Sequence, residues 1–181
     1  MSPSPAPSPS FSLSTPRLVL RRWREDDREP FAGMNADPEV MRHFPAVLDR
    51  SRSDSLADYC DECFDLLSAQ GQPYGLGVVE RREDGEFLGF TGLHRMRYYP
   101  DDVEIGWRLA RDAWGHGYAT EAASMWVGYA RDVLRLPRLI SIVDPDNAAS
   151  LAVTRKLGMV EGWRGEREGR AHVVMVLTFG E

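Results

Sequence analysis

The stretch Val103–Ala123, VEIGWRLARDAWGHGYATEAA, carries two periods with a break between them. Up to Ala110 the residues alternate: Val103, Ile105, Trp107 and Leu109 share one side, and Glu104, Gly106, Arg108 and Ala110 the other, which is the period of a strand. From Tyr118 an Ala-rich helical pattern runs to about Leu134. Gly115 and Gly117 stand between them, with no proline. After Pro137 the compact apolar run Arg138–Asp144, RLISIVD, reads as a second strand, parallel to the first because a helix connects the two. The opening stretch is therefore the strand-to-helix turn of a β-α-β unit. The first N–H groups of a helix lack partners inside it and, with the helix dipole, attract anions. Glycines there serve either a tight turn or a close approach of backbone to phosphate oxygens.

The rest of the chain arranges itself around this unit. Leu18–Arg22 reads as a first strand. A helix from about Glu25 to Ala36 opens with three acidic residues, and Asp37-Pro38 ends it. EVMRHF is expected to form a short helical turn before Pro45. A longer helix covers Ser53 to about Gln70 and stops at Gly71. YGLGVVE and EFLGFTGLH then flank Asp84-Gly85, a hairpin signal, and a loop holding Tyr99-Pro100 leads to the Val103 strand. Beyond Asp144 come a short helix, Asn147–Leu157, and two strands near 159–164 and 172–179. These elements make one domain from residue 13 to 181, and MSPSPAPSPS with its neighbours up to residue 12 reads as a flexible Pro/Ser tail.

Hydrophobic content of 43% and charged content of 28% fit an ordinary globular chain. No apolar run approaches the roughly 20 residues of a membrane span, and the N-terminal stretch lacks the basic start and apolar centre of a secretory signal. A cytoplasmic protein without membrane partners is expected. A net charge of −6 and a pI near 5.3, with arginines scattered, argue against a nucleic-acid surface. Cys60 and Cys63 form a C-x-x-C, but Leu56, Tyr59, Cys60, Cys63, Phe64 and Leu67 recur at helical spacing, so the thiols read as part of a packed face. No metal site is expected, because no histidine is spaced with a second ligand.

Two phosphate motifs fail on the glycine turn. The P-loop needs a lysine beside its second glycine, and the sole lysine, Lys156, is far downstream. The dinucleotide fingerprint lacks its third glycine, and Asp144 lies beyond the roughly 20 residues at which an acidic partner belongs. A dinucleotide-binding oxidoreductase stays a minor alternative.

EIGWRLARDAWGHGYATEA resembles the acetyl-coenzyme A binding motif of the GNAT superfamily of N-acetyltransferases, in its ribosomal-protein-alanine acetyltransferase-like (RimJ/RimL) branch. LSTPRLVLRRWREDD, DPEVMRHF and DNAASLAVTRKLGMVEG are similar to other blocks of that branch, in the same order. Together they cover nearly the whole chain after residue 12. One departure is Asp112, where the superfamily often has glutamine or arginine.

The resemblance implies an α/β (α+β) fold: a mixed, mostly antiparallel sheet flanked by helices, with the parallel fourth and fifth strands splayed apart. It implies acetyl-CoA as cosubstrate, its pantetheine arm along Trp107, Arg108 and Leu109 and its pyrophosphate on the N–H groups of Trp114, Gly115, His116, Gly117, Tyr118, Ala119 and Thr120. Asn147 would lie near the far side of the pantetheine. The implied reaction is direct acetyl transfer to an amine, on a small molecule or a protein N-terminus, by a monomer or homodimer. A non-catalytic acyl-CoA-binding sensor is the alternative.

An ammonium must lose a proton before it attacks, so a base is needed, directly or through a water. Glu104, on the strand that aligns the cosubstrate, is the candidate; a solvent-facing or Arg-paired carboxylate is the other reading. The helical tyrosine that many relatives place near the leaving thiolate is replaced by Thr154 in TRKLGM. Ser150 is the candidate acid, unless its hydroxyl caps the helix. His116 reads as a surface residue lending its N–H. His43, His94 and His172 show no partner in the sequence. Trp107, Trp114 and Trp126 read as packing groups, and Arg42–Phe44 as part of the acceptor wall.

Overall fold

A computed structural model describes residues 11–69, 71 and 74–180; side chains from 65 to 69 fall outside it, so the Leu67 side chain, Gln70 and the MSPSPAPSPS tail lie beyond what it describes. In chain order the elements are β1 (Ser12–Ser14), β2 (Leu18–Arg21), a 3-10 turn (Glu25–Asp27), α1 (Arg28–Ala36), α2 (Arg50–Ala69), β3 (Leu76–Arg81), β4 (Phe87–Met96) and β5 (Tyr99–Leu109). A second 3-10 turn (Arg111–Ala113), α3 (Tyr118–Asp132), β6 (Arg138–Val143), α4 (Ala148–Lys156), β7 (Val160–Arg167) and β8 (Arg170–Thr178) complete the chain.

The eight strands form one sheet in the order β1-β2-β3-β4-β5-β6-β8-β7. Every neighbouring pair is antiparallel except β5 and β6, which are parallel, as the helix between them requires. β1 is an addition to the expected set, so the strands counted fourth and fifth from the sequence are β5 and β6. Phe11, just ahead of it, stacks on Trp126 with ring centroids 5.2 Å apart, so packing reaches two residues before the expected domain start.

Two apolar clusters form the core. α3 contributes Ala122, Ala123, Trp126 and Ala130 to one that includes Val103, Ile105, Leu109 and Leu139. The other joins Phe31 and Met34 of α1, Ala57 and Cys60 of α2, and Leu76 and Phe90 of the sheet. The alternation along β5 is therefore real: its odd residues pack toward α3, and Glu104, Gly106 and Arg108 face away from it. Arg21, buried on β2, fixes the start of α1 by a two-pronged pair with Asp27 at 2.8 Å and a bond to Glu80 at 2.6 Å.

Four local expectations need correction. EVMRHF forms turns and no helix. α2 begins at Arg50, where the Asp49 carboxylate accepts the Arg52 N–H at 2.9 Å and so caps the helix. Tyr99-Pro100 opens β5 and is not loop; the ladder passes from Met96↔Tyr99 to Arg95↔Val103, which leaves Pro100 in a bulge where no ladder N–H is demanded. In the C-x-x-C helix, Cys60 is buried and its thiol is pushed up to about 12 by desolvation, then by Cys63. Tyr59, placed by period on the same face, is exposed.

Candidate active site

β5 and β6 share one register pair, Glu104↔Ile140, and then part. A cavity of about 610 Å³ opens there, and Glu104, Trp107, Arg108, Asn147 and Ser150 all line it. The splay expected from the sequence is thus present, at the residue proposed as base.

Glu104 is neither solvent-facing nor paired with arginine. It is only 8% exposed. One carboxylate oxygen accepts the Ile142 N–H of β6 at 3.2 Å, and the other lies 3.2 Å from His94 Nε2. His94 sits on β4 directly across the ladder from Glu104, so the antiparallel register itself makes this pair. The buried Thr91 hydroxyl donates to the Gly106 carbonyl at 2.8 Å and holds the same part of β5 from the β4 side.

The other histidines also have partners that their sequence positions do not reveal. His43 Nδ1 lies 3.3 Å from Asp144, which Arg170 approaches at 3.4 Å. Burial works against the Asp144 carboxylate, but the Asp146 N–H, His43 and Arg170 outweigh it and hold the group below its ordinary range. His172 Nε2 lies 2.9 Å from the Tyr99 hydroxyl. Of Arg42–Phe44, His43 and Phe44 line the cavity, whereas Arg42 turns outward to Glu39.

At the far wall Asn147, and not Ser150, caps α4: its side-chain oxygen accepts the Ser150 N–H at 3.0 Å. The Ser150 hydroxyl has no hydrogen-bond partner among the described residues, so it is not spent on the helix end. Thr154 is buried and donates to the Leu151 carbonyl at 2.9 Å, closing that position to catalysis.

Beyond Leu109 the chain turns through Arg111–Ala113 and enters α3. Gly115 and Gly117 both have φ of +80°, and Gly117 is the N-cap. No Cβ fits this left-handed backbone without strain. The N–H groups from Gly115 to Thr120 donate to no backbone carbonyl among the described residues; the first helical bond is made by Glu121, to the Gly117 carbonyl at 3.0 Å. Six consecutive free donors at the head of a 15-residue helix fit a diphosphate. Trp114 is a correction: its N–H is already bonded to the Arg111 carbonyl at 3.1 Å, so it cannot join the cradle. Nor is it a packing residue. It is 47% exposed, and its indole N–H donates to the Leu109 carbonyl at 2.9 Å. These loop residues do not line the cavity but lie past the end of β5.

Arg17 was not foreseen at this loop. It donates to the His116 carbonyl at 3.1 Å, pairs with Glu121 at 2.5 Å and sits 4.7 Å over the Tyr118 ring. Thr15 donates to the same Glu121 carboxylate, so the turn before β2 is clamped to the first turn of α3. Burial works against the Glu121 carboxylate, but the Thr15 and Arg17 bonds outweigh it and lower its pKa. A positive group therefore stands beside the cradle despite Asp112, and it comes from a residue about a hundred positions away. His116 itself stacks on Tyr118 at the surface, as expected.

The sequence pattern that defines the acetyltransferase (GNAT) domain matches residues 17–160. The chain belongs to the GNAT acetyltransferase family. It is similar to YkkB, an uncharacterized protein of Bacillus subtilis, with 30% identity over 81% of this chain and 84% of that one. The uncharacterized N-acetyltransferase YoaA of the same organism is also 30% identical, over 81% of each chain. Among solved structures, an acetyltransferase from Agrobacterium tumefaciens superposes with a TM-score of 0.79 at 26% identity, covering 98% of this chain and 100% of that one. This GNAT protein is an acetyl-CoA-dependent N-acyltransferase with the mixed sheet of its family. Among its described residues no helix is long and apolar enough to cross a membrane, and no group of three or more His, Cys, Asp or Glu is placed to hold a metal ion.

Proposed function

We propose that this GNAT chain moves an acetyl group directly from acetyl-CoA to a primary amine, on a small molecule or a peptide N-terminus, with Glu104 as the base. The observation that carries this reading is the pair of buried Glu104 with His94, placed where β5 and β6 share their one register pair among the described residues before they part. When bound, acetyl-CoA supplies an acetyl group activated as a thioester.

The chain's own groups divide the remaining work. The Gly115–Thr120 amides hold the diphosphate, with Arg17 adding positive charge beside them. Among the described residues the β6-facing edge of β5 from Trp107 to Leu109 has no strand partner, the Trp114 indole N–H taking only the Leu109 carbonyl, and this edge is offered to the pantetheine, with Asn147 bordering its far side. Glu104 takes a proton from the acceptor ammonium, and the freed nitrogen lone pair forms the new N–C bond as the C–S bond breaks. The Ile142 N–H and His94 hold the carboxylate in place for that step. The Ser150 hydroxyl, free of structural duty, donates to the departing sulfur.

A sensor that binds acyl-CoA without turnover needs the cradle but no buried carboxylate at the splay. Release of free thiol from acetyl-CoA, measured over a panel of N-terminal peptides, polyamines and aminoglycosides, separates the two. Amine-dependent thiol release supports transfer. CoA-induced thermal stabilisation with no release on any amine supports the sensor.

A further inference from the structure

Arginines in this acidic chain are for the most part matched with carboxylates: Arg17 with Glu121, Arg21 with Asp27 and Glu80, Arg138 with Asp102. Arg108 is not, although it is partly buried. It lines the cavity with its guanidinium 4.0 Å over the Phe44 ring and 5.3 Å from the Phe90 ring. Its one hydrogen bond runs from Nη1 to the Asn35 side-chain oxygen at 2.6 Å. Nε is buried and has no partner among the described residues. Asn35 is itself anchored, donating to the Ser53 hydroxyl at 2.6 Å, so α1, α2 and β5 converge to hold this one cation in place.

Aromatic rings attract a guanidinium but offer no in-plane acceptor, and Asn35 satisfies one of its five N–H donors. The remaining donors form a fork suited to two oxygens of one planar anion. Two further cavity-lining arginines, Arg95 and Arg97, also lack a carboxylate partner among the described residues; Arg95 donates instead to the Tyr74 hydroxyl and the Pro100 carbonyl. Two other carboxylates on the cavity wall already face cations, Asp144 with His43 and Arg170 and Glu168 with Arg167, so Glu104 stands as its negative end with unmatched positive charge elsewhere on the wall.

We infer that the acceptor is a small amine that also carries a carboxylate, and that Arg108 is the residue that receives this carboxylate. The inference rests on the acetyl-transfer reading above and specifies its substrate class. Burial without a counter-ion pushes the Arg108 guanidinium down to about 10, and an incoming carboxylate relieves that cost. Glu104 and Arg108 share a face of β5 four residues apart, roughly 13 Å between their Cα atoms. Amine and carboxylate must then sit at the two ends of the acceptor. A polycation meets unmatched arginines and is disfavoured.

Thiol release from acetyl-CoA with ω-amino acids of three to eight carbons, each beside the alkylamine of equal length, tests this directly, with spermidine as a further arm. For at least one length, kcat/KM for the amino acid should exceed that of its alkylamine by ~30-fold or more, and spermidine should rank below both. That ratio should collapse toward 1 in Arg108→Met and fall partway in Arg108→Lys, which keeps the charge but loses the fork. CoA-induced thermal stabilisation, measured on each variant, shows that the fold persists. Alkylamines used as well as amino acids at every length in the wild type would overturn the inference and leave acetyl transfer standing. A preference that survives both substitutions would take the role from Arg108. Failure to acetylate any amine, with CoA still stabilising the protein, would sink the transfer reading beneath it.

Discussion

Replacing Glu104 by Gln keeps the shape of the side chain and removes its charge and basicity. The Gln oxygen can still accept the Ile142 N–H, a bond of 3.2 Å in the native side chain. Its NH2 then occupies the site 3.2 Å from His94 Nε2 and can donate there only if that nitrogen is unprotonated. Loss of one charge-assisted contact at a buried site costs about 1–2 kcal/mol of stability, or roughly 2–8 °C in Tm at this chain length. The effect on turnover should be much larger. Removing a general base lowers kcat by ~10²–10⁴-fold, which is about 2.7–5.5 kcal/mol of barrier. Thiol release should be followed with the best acceptor found, well below the variant's Tm, and CoA affinity read from thermal shift. The proposed diphosphate cradle lies past the end of β5, so that affinity should change by less than ~3-fold, or about 0.65 kcal/mol. A variant that turns over within threefold of the wild type would remove Glu104 as the base. A variant that loses CoA binding along with turnover would show that Glu104 shapes the cosubstrate site and does no proton chemistry.

Three further outcomes follow from the same geometry. His94→Ala should lower kcat roughly tenfold to a hundredfold with KM for acetyl-CoA little changed, since Glu104 keeps the Ile142 N–H but loses its other partner; steady-state kinetics checks this. Gly117→Trp puts a β-carbon and an indole on backbone at φ +80° beside the free amides. CoA at 100 times its Kd should stabilise the wild type by about 2.7 kcal/mol, a rise of roughly 5–10 °C, and the variant should show none of it. Glu121→Gln removes the clamp on Arg17, costing about 1 kcal/mol after allowance for the half-exposed arginine. Because the folded carboxylate lies below its ordinary 4.5, the stabilisation is fully present above that value and is lost as pH falls through the lowered one. Wild type and Gln variant should therefore differ in Tm at pH 7 and converge in acid.

The Val103–Ala123 stretch was legible because strand period, paired glycines and helical period all occur within it and each reports local geometry. β5, the glycine turn and α3 lie where it placed them, and the splay at Glu104 agrees with the family resemblance. The hidden parts depend on register or on distant pairing. His94 meets Glu104 only because a bulge shifts the β4–β5 ladder, and that bulge surrounds the Pro100 read as loop. Arg17 reaches Glu121 across the turn between β1 and β2, and β1 is a three-residue strand too short to show a period. Asn147 and Ser150 both suit a helix start by type, and only the folded geometry distinguishes the cap from the free hydroxyl. The unmatched state of Arg108 is likewise a tertiary fact, since a guanidinium lacks a carboxylate only relative to everything folded around it.

The central claim is that the free amides from Gly115 to Thr120 take the diphosphate of acetyl-CoA while its pantetheine enters between β5 and β6. A crystal structure of the protein with CoA tests it most directly. Diphosphate oxygens should lie about 3 Å from several of these N–H groups, with the thiol end reaching the cavity at Glu104. CoA seated elsewhere, with this loop bare, would contradict the account.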